Sequence, residues 1–114
     1  GARLETVDAF KNSTNGTVAI SPSWQEGLNF PDDQLRWCVI AKVPFLSQGD
    51  AIVRMRIHRP GGSDWYKWKA ALRVVQAAGR GVRHAGDWCI TYVADGVFPQ
   101  IVPYLPDWFE WSSL

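Results

Sequence analysis

The chain has 114 residues, of which 46% are hydrophobic and 20% are charged, and its formal net charge is +1. These values are typical of one globular domain and exclude an intrinsically disordered chain. Two cysteines are too few for a four-thiolate metal or iron–sulfur site, and no apolar run reaches the roughly 18 residues of a transmembrane helix.

The N-terminal part is predicted to form a helix, a strand and a loop. Leu4, Val7 and Phe10 recur at helical spacing, and the turn-forming sequence NSTNG ends the helix. The β-branched, apolar run TVAIS, at 17–21, predicts a buried strand. Residues 22–33 predict a loop, because Asn, Pro and Asp interrupt regular structure there.

The sequence LRWCVIAKVPF, at 35–45, predicts a second strand that is apolar on both faces. Strands buried on both faces usually belong to parallel sheets that helices cover. Cys38 in this run and Cys89 in the later run DWCITYVA are predicted to be buried, reduced thiols, as in an intracellular protein.

Two helices are predicted next, separated by the sequence PGGSD. Residues 50–59 predict a short helix. Ser63 or Asp64 is expected to cap the following helix, which runs from about Trp65 toward Val82.

The apolar stripe of the longer helix is predicted to comprise Trp65, Trp68, Leu72 and Val75. Aromatic rings beside lysines can also stack on nucleic-acid bases. Because both tryptophans lie on the stripe, we favour packing in the core or between elements for them, and Tyr66, Lys67 and Lys69 are the better candidates for an exposed, DNA-facing side.

The sequence WCITYVAD, at 88–95, predicts a third strand, and the proline-rich tail predicts a short helix or irregular turns. Strands that alternate with helices predict an α/β fold with a mainly parallel sheet. Since three strands make a thin sheet, we expect the chain to form part of a larger one.

Charge is distributed unevenly along the chain. Residues 50–84 include eight basic and two acidic residues, a net charge of +6, and the remainder carries −5. One electropositive face suits a polyanion, and the alternative is an ordinary solvated basic helix. Arg54, Arg56 and Arg59 follow the second strand, where loops of parallel α/β domains gather ligands, so we expect contact with a single-stranded nucleic-acid backbone.

The sequence QAAGRGVR, at 76–83, places Gln76, Gly79, Arg80 and Arg83 on one face of a helix. Arginine suits phosphate because its planar guanidinium binds two oxygens, and glycine lets a ligand approach closely. Alternatively, both arginines are surface residues and the glycines only end the helix. The spacing alone leaves both interpretations open.

In its order of motifs, the chain resembles superfamily-two helicases. QAAGRGVR resembles motif VI, Q-x-x-G-R-x-x-R, and residues 23–45, SWQEGLNFPDDQLRWCVIAKVPF, resemble the motif V region of the XPD/DinG-like branch, virus-encoded relatives included. Residues 87–98, DWCITYVADGVF, are similar to the segment D-x-G-x-x-x-x-x-D-x-R-F that follows motif VI. Asn29 stands where the branch commonly has Asp, and Val97 replaces the Arg of the last pattern.

The resemblance implies that residues 1–114 are the C-terminal part of the second motor domain, a three-layer RecA-like domain, of an ATP-dependent DNA helicase. Arginine fingers of this kind stabilise charge on the γ-phosphoryl group of ATP. The implied site residues are catalytic Arg80 and Arg83; nucleotide-binding Gln76, Gly79, Glu26, Gly27 and Asn29; and single-stranded-DNA-binding Arg54, Arg56, Arg59, Lys67 and Lys69.

The chain contains neither the phosphate-binding sequence G-x-x-x-x-G-K-[ST] nor a D-E-A-H-like acidic pair. ATP and Mg²⁺ are therefore expected to bind mainly to an N-terminal RecA-like ATPase domain outside this chain. By itself the chain is expected to be inactive. We predict no metal site, no membrane partner and a location inside the cell, whether cytoplasm, nucleoid or nucleus.

Two other functions stay open. A stand-alone module derived from a helicase could bind single-stranded nucleic acid without hydrolysis, because the basic segment does not require the phosphate-binding loop. A decayed motor could instead act as an interaction domain through its aromatic, proline-rich tail.

Overall fold

The computed structural model describes residues 2–13, 16, 18–21, 30, 32–79 and 84–113. In the described residues, 3₁₀ turns at Asp32–Gln34 and Val102–Tyr104 accompany the helices and strands. In chain order the elements are α1 (Ala2–Lys11), β1 (Trp37–Ile40), α2 (Ala51–Ile57), α3 (Gly62–Ala78), β2 (Ile90–Val93) and α4 (Phe98–Ile101). The predicted helices and the second and third predicted strands are therefore confirmed.

Strands β1 and β2 pair in parallel, with Trp37 opposite Ile90 and Ile40 opposite Val93. A parallel pair combined with helices agrees with the predicted α/β class, whereas the three-layer RecA-like architecture stays a prediction. The predicted strand at 17–21 is wrong for residues 18–21, which are outside any strand, with Ile20 96% exposed. High β-propensity forms a strand only where a partner strand pairs with it, and neither described strand pairs with residues 18–21.

One face of the sheet supports the core. The buried cluster consists of Val43, Ala70, Ala71, Val74 and Ile101, and Ile40 and Val93 of the sheet pack against it. The opposite face is open in the described part of the chain, where its four apolar side chains are exposed: Trp37, Val39, Ile90 and Tyr92. The prediction of a strand buried on both faces is therefore wrong for the described structure.

Helix α3 begins at a tight backbone turn. Gly61, in the left-handed region at φ +74°, is its N-cap, and no side chain caps the helix. The predicted caps Ser63 and Asp64 instead lie inside the first turn. Gly62 packs against the end of α2, where an added Cβ would lie 2.2 Å from two carbonyl oxygens.

The buried face of α3 differs from the predicted stripe. Ala70, Ala71 and Val74 are fully buried, whereas Trp68 is 43% exposed. Small side chains let the helix approach the rest of the core closely, and the larger indole ring is left at the edge of that contact. Assigning Trp68 to the core is therefore wrong. Helix α3 ends at Ala78, and residues 80–82 of the predicted extension toward Val82 lie outside the described residues.

Candidate nucleotide and nucleic-acid site

The C-terminal end of α3 carries the described part of the motif VI-like sequence. Gln76 is exposed in the last turn. Gly79 caps the helix, and its backbone N–H donates to the carbonyls of Val75 and Ala77. Its φ of −69° suits any residue, and an added Cβ would meet no described atom within 4 Å. Among the described residues, none fills the space beside Gly79.

The other predicted nucleotide-site residues lie outside the described ranges. They are Arg80, Arg83, Glu26, Gly27 and Asn29. Their grouping around a nucleotide stays a prediction, and so does the single helical face that joins Gln76 to the two arginines.

Two aspartates attach β2 to the β1 segment. Before β2, the buried carboxylate of Asp87 accepts a hydrogen bond from Nη1 of Arg36 at 2.7 Å. Arg36 Nη1 also donates to the Trp88 carbonyl at 2.8 Å. After β2, the Asp95 carboxylate accepts from the backbone N–H of Val43 at 2.9 Å. The segment that follows the motif VI-like sequence is thus held against the motif V-like region.

Asp95 also accepts a hydrogen bond from the backbone N–H of Val97 at 3.1 Å. The backbone hydrogen bonds from Val43 and Val97 lower the pKa of Asp95 below its ordinary value, because they favour the charged carboxylate. These contacts were not predicted from the sequence. Asp87 and Asp95 occupy the two Asp positions of D-x-G-x-x-x-x-x-D-x-R-F, but that pattern names no partner for either residue.

The predicted DNA-contacting residues occupy α2, the turn after it, and α3. Arg54, Arg56 and Arg59 are exposed, whereas Lys67 and Lys69 are half-buried. The remaining described basic residue of this segment, Arg73, has a structural contact, because its Nη1 donates to the Pro44 carbonyl at 3.3 Å. The basic segment is therefore only partly a free surface.

An open groove of about 780 Å³ lies beside β1. Its described lining includes Phe10, Val18, Ile20 and Val39. Ala77, next to Gln76, also lines the groove, which therefore reaches the C-terminal end of α3.

Within the described ranges, no group of three or more His, Cys, Asp or Glu side chains is placed to hold a metal ion. No helix in the same ranges is both long and apolar enough to cross a membrane. Cys38 and Cys89 are free thiols, as predicted, but both are half-buried rather than buried.

The amino-acid sequence of this chain is similar to those of several known proteins. The chain is similar to the regulator of telomere elongation helicase 1 homolog of Culex quinquefasciatus, with 33% identity over 75% of the chain and 10% of that protein. It is also similar to the ATP-dependent DNA helicase CHL1 of Eremothecium gossypii, with 27% identity over 91% of the chain and 15% of the relative. The Fanconi anemia group J protein homolog of Gallus gallus is 29% identical over 78% of the chain and 8% of its own length.

The chain thus spans only 8–15% of the length of these relatives. No solved structure matches the chain significantly. The sequence profile of the helicase C-terminal domain matches residues 1–111, almost the whole chain. The chain therefore belongs to the helicase C-terminal domain family and is a C-terminal domain of a helicase related to CHL1 and to the regulator of telomere elongation helicase 1 homolog.

Proposed function

We propose that this chain is the part of an ATP-dependent DNA helicase that brings Arg80 and Arg83 to the ATP phosphates. The parallel pairing of β1 with β2 carries the proposal. It joins the strand of the motif V-like region to the strand that follows the motif VI-like sequence. Helix α3, which packs on the same core, ends at Ala78, two residues before Arg80 in the sequence.

The chemistry required of the two arginines is charge stabilisation. Phosphoryl transfer spreads negative charge over the oxygens of the transferred group, and a guanidinium placed there lowers the barrier. Gln76 is exposed at the end of α3, where its carboxamide could orient the nucleotide or the arginines. The chain has no phosphate-binding loop sequence, so ATP and Mg²⁺ would be held mainly by an N-terminal RecA-like domain.

The proposal is tested by Arg83→Ala and Arg80→Ala in the full-length gene product, with ATP turnover measured in the presence of single-stranded DNA. Loss of an arginine finger lowers kcat by about 10³-fold or more. Lys11→Ala is the control, because it removes one positive charge from α1, which carries none of the predicted site residues. All three variants should retain the wild-type circular dichroism spectrum.

Wild-type turnover in both arginine variants would contradict the proposal. A helicase role also places the protein inside the cell, on chromosomal or other DNA.

A second function, single-stranded nucleic-acid binding without hydrolysis, is favoured by the exposed arginines of α2. It predicts steeply salt-dependent binding by a protein with no ATP turnover. Binding that is absent, or unchanged by salt, would exclude it.

A further inference from the structure

Two cation–aromatic pairs lie on α2 and α3, and we term their four side chains the cation–aromatic ladder: Arg56, Trp65, Trp68 and Lys69. The guanidinium carbon of Arg56 lies 4.4 Å from the ring centroid of Trp65. The Lys69 ammonium lies 5.5 Å from the ring centroid of Trp68. Because the two tryptophans are three residues apart in one helix, their side chains are neighbours on its surface.

The ladder is accessible from solvent. Arg56 and Trp68 are exposed, and Trp65 and Lys69 are half-buried. The core contact of α3 uses Ala70, Ala71 and Val74 and does not require the Trp68 ring. A large indole left at the surface is available for contact with another molecule.

The electrostatic surroundings of the ladder favour an anion. From Ala51 to Ala78 the chain has six basic residues and one acidic residue, Asp64. The Asp64 carboxylate accepts a hydrogen bond from the Tyr104 hydroxyl, so it is partly occupied. A flat aromatic ring flanked by cations matches a polymer that alternates flat bases with phosphates.

We infer that the ladder is a base-stacking subsite for single-stranded nucleic acid, with one base on the Trp68 ring and the Arg56 and Lys69 cations facing the adjacent phosphates. The inference rests on the proposed function for the presence of a nucleic-acid strand. It adds Trp68, a residue assigned to the core from sequence, as the stacking group. A duplex cannot use the subsite in this way, because its bases already stack on one another.

The first test measures binding of fluorescein-labelled oligothymidine, about 15 nucleotides long, to the full-length gene product by fluorescence anisotropy. Trp68→Ala should weaken binding about tenfold without changing the salt dependence, because stacking contributes no counterion release. Trp68→Phe should retain most of the affinity. Lys69→Gln should instead reduce the salt slope by about 0.7.

Trp108→Ala is the matched control. Trp108 is 71% exposed and lies between Asp107 and Glu110 in sequence, where no phosphate is expected. Its removal should leave oligothymidine binding unchanged. Equal affinity of the Trp68→Ala and Trp108→Ala variants for oligothymidine would overturn the inference. The inference would also be overturned if Trp68→Ala weakened binding of duplex DNA of the same length as much as it weakened binding of oligothymidine.

A second readout does not depend on how many other sites bind the strand. Oligothymidine carrying 5-iodouracil is irradiated on the protein, and the crosslinked peptides are mapped by mass spectrometry. A stacked base should crosslink at Trp68, and crosslinks confined to other residues would overturn the subsite.

If Trp68→Ala weakens binding while Arg80→Ala and Arg83→Ala leave turnover intact, only the ATPase proposal fails. If the arginine variants lower ATP turnover while Trp68→Ala leaves oligothymidine binding unchanged, only the base-stacking subsite is contradicted.

Discussion

Arg36 and Asp87 are 51 residues apart in the chain and meet at 2.7 Å beside the parallel strand pair. The Asp87 side chain is fully buried, whereas that of Arg36 is 25% exposed. The Arg36 guanidinium also lies 4.7 Å from the ring centroid of Trp88. One arginine thus contacts Asp87 and Trp88, two of the three residues immediately before β2, and fixes the entry to that strand.

Asp87→Ala should lower the melting temperature by about 10 °C, because it removes a charge-assisted hydrogen bond to a buried carboxylate and leaves the exposed Asp33 as the remaining described ion-pair partner of Arg36. Differential scanning calorimetry measures the effect. Asp33→Ala is the control, since Asp33 contacts the same guanidinium at 3.0 Å but is 97% exposed. Exposed ion pairs contribute little, so the control should change the melting temperature by less than about 4 °C. Equal shifts in both variants would contradict the role of burial.

Asp95 makes the acid stability of the protein partly dependent on two backbone hydrogen bonds. Because the folded-state pKa of Asp95 lies below the ordinary value of 3.8, its contribution is complete above that pH and is lost as the pH falls further. Asp95→Asn should therefore lower the melting temperature at pH 7, and the difference from wild type should narrow below about pH 4. A difference in melting temperature that stays constant from pH 7 to pH 3 would show that the charge of Asp95 does not contribute to stability.

The two glycines at the ends of α3 should respond oppositely to alanine. Gly62→Ala places a Cβ 2.2 Å from carbonyl oxygens of α2, so it should cost about 1–3 kcal/mol or more of unfolding free energy. Gly79→Ala meets no described atom at a normal helical φ, so it should be neutral or stabilise by up to about 1 kcal/mol. Urea unfolding compares the two variants.

Gly79→Ala also tests the functional reason for this glycine. If a nucleotide approaches the end of α3 closely, the variant should keep its stability and lose ATP affinity in the full-length gene product. An unchanged KM for ATP would mean that the glycine serves no ligand.

Cys89 should be a poorly reactive thiol in the folded protein. Burial, followed by the neighbouring Cys38, raises the pKa of Cys89 from 9.0 to about 12. The thiolate is the reactive form, so alkylation by iodoacetamide at pH 8 should be at least about 100-fold slower in the folded protein than in urea. Peptide mapping separates the two cysteines, and equal rates with and without urea would contradict the shift.

Because the pKa of Cys89 is raised in the folded protein, the free energy of unfolding should decrease at alkaline pH. A group with a raised folded-state pKa contributes stability that is complete below its ordinary value, here 9.0, and is lost as the pH rises toward about 12. Cys89→Ser should remove this part of the alkaline loss of stability.

The sequence by itself determined the order and type of most elements. Helical spacing in α1 and α3, the strand runs around Cys38 and Cys89, and the turn residues between them are local patterns, and local patterns fix local backbone conformation. The motif order also sufficed to identify the helicase family that the comparisons then showed. The pairing of Asp87 with Arg36 was not predicted, because no local pattern links residues so far apart.

Tertiary structure alone decided which face of each element is buried. Residues 18–21 have the composition of a strand but lie outside one, because strand formation requires a partner strand as well as propensity. On α3, alanines rather than tryptophans form the buried contact, because the closeness of the packed elements, and not hydrophobicity alone, selects the side chains that fit. That selection leaves Trp68 at the surface, where it becomes a candidate for contact with nucleic acid.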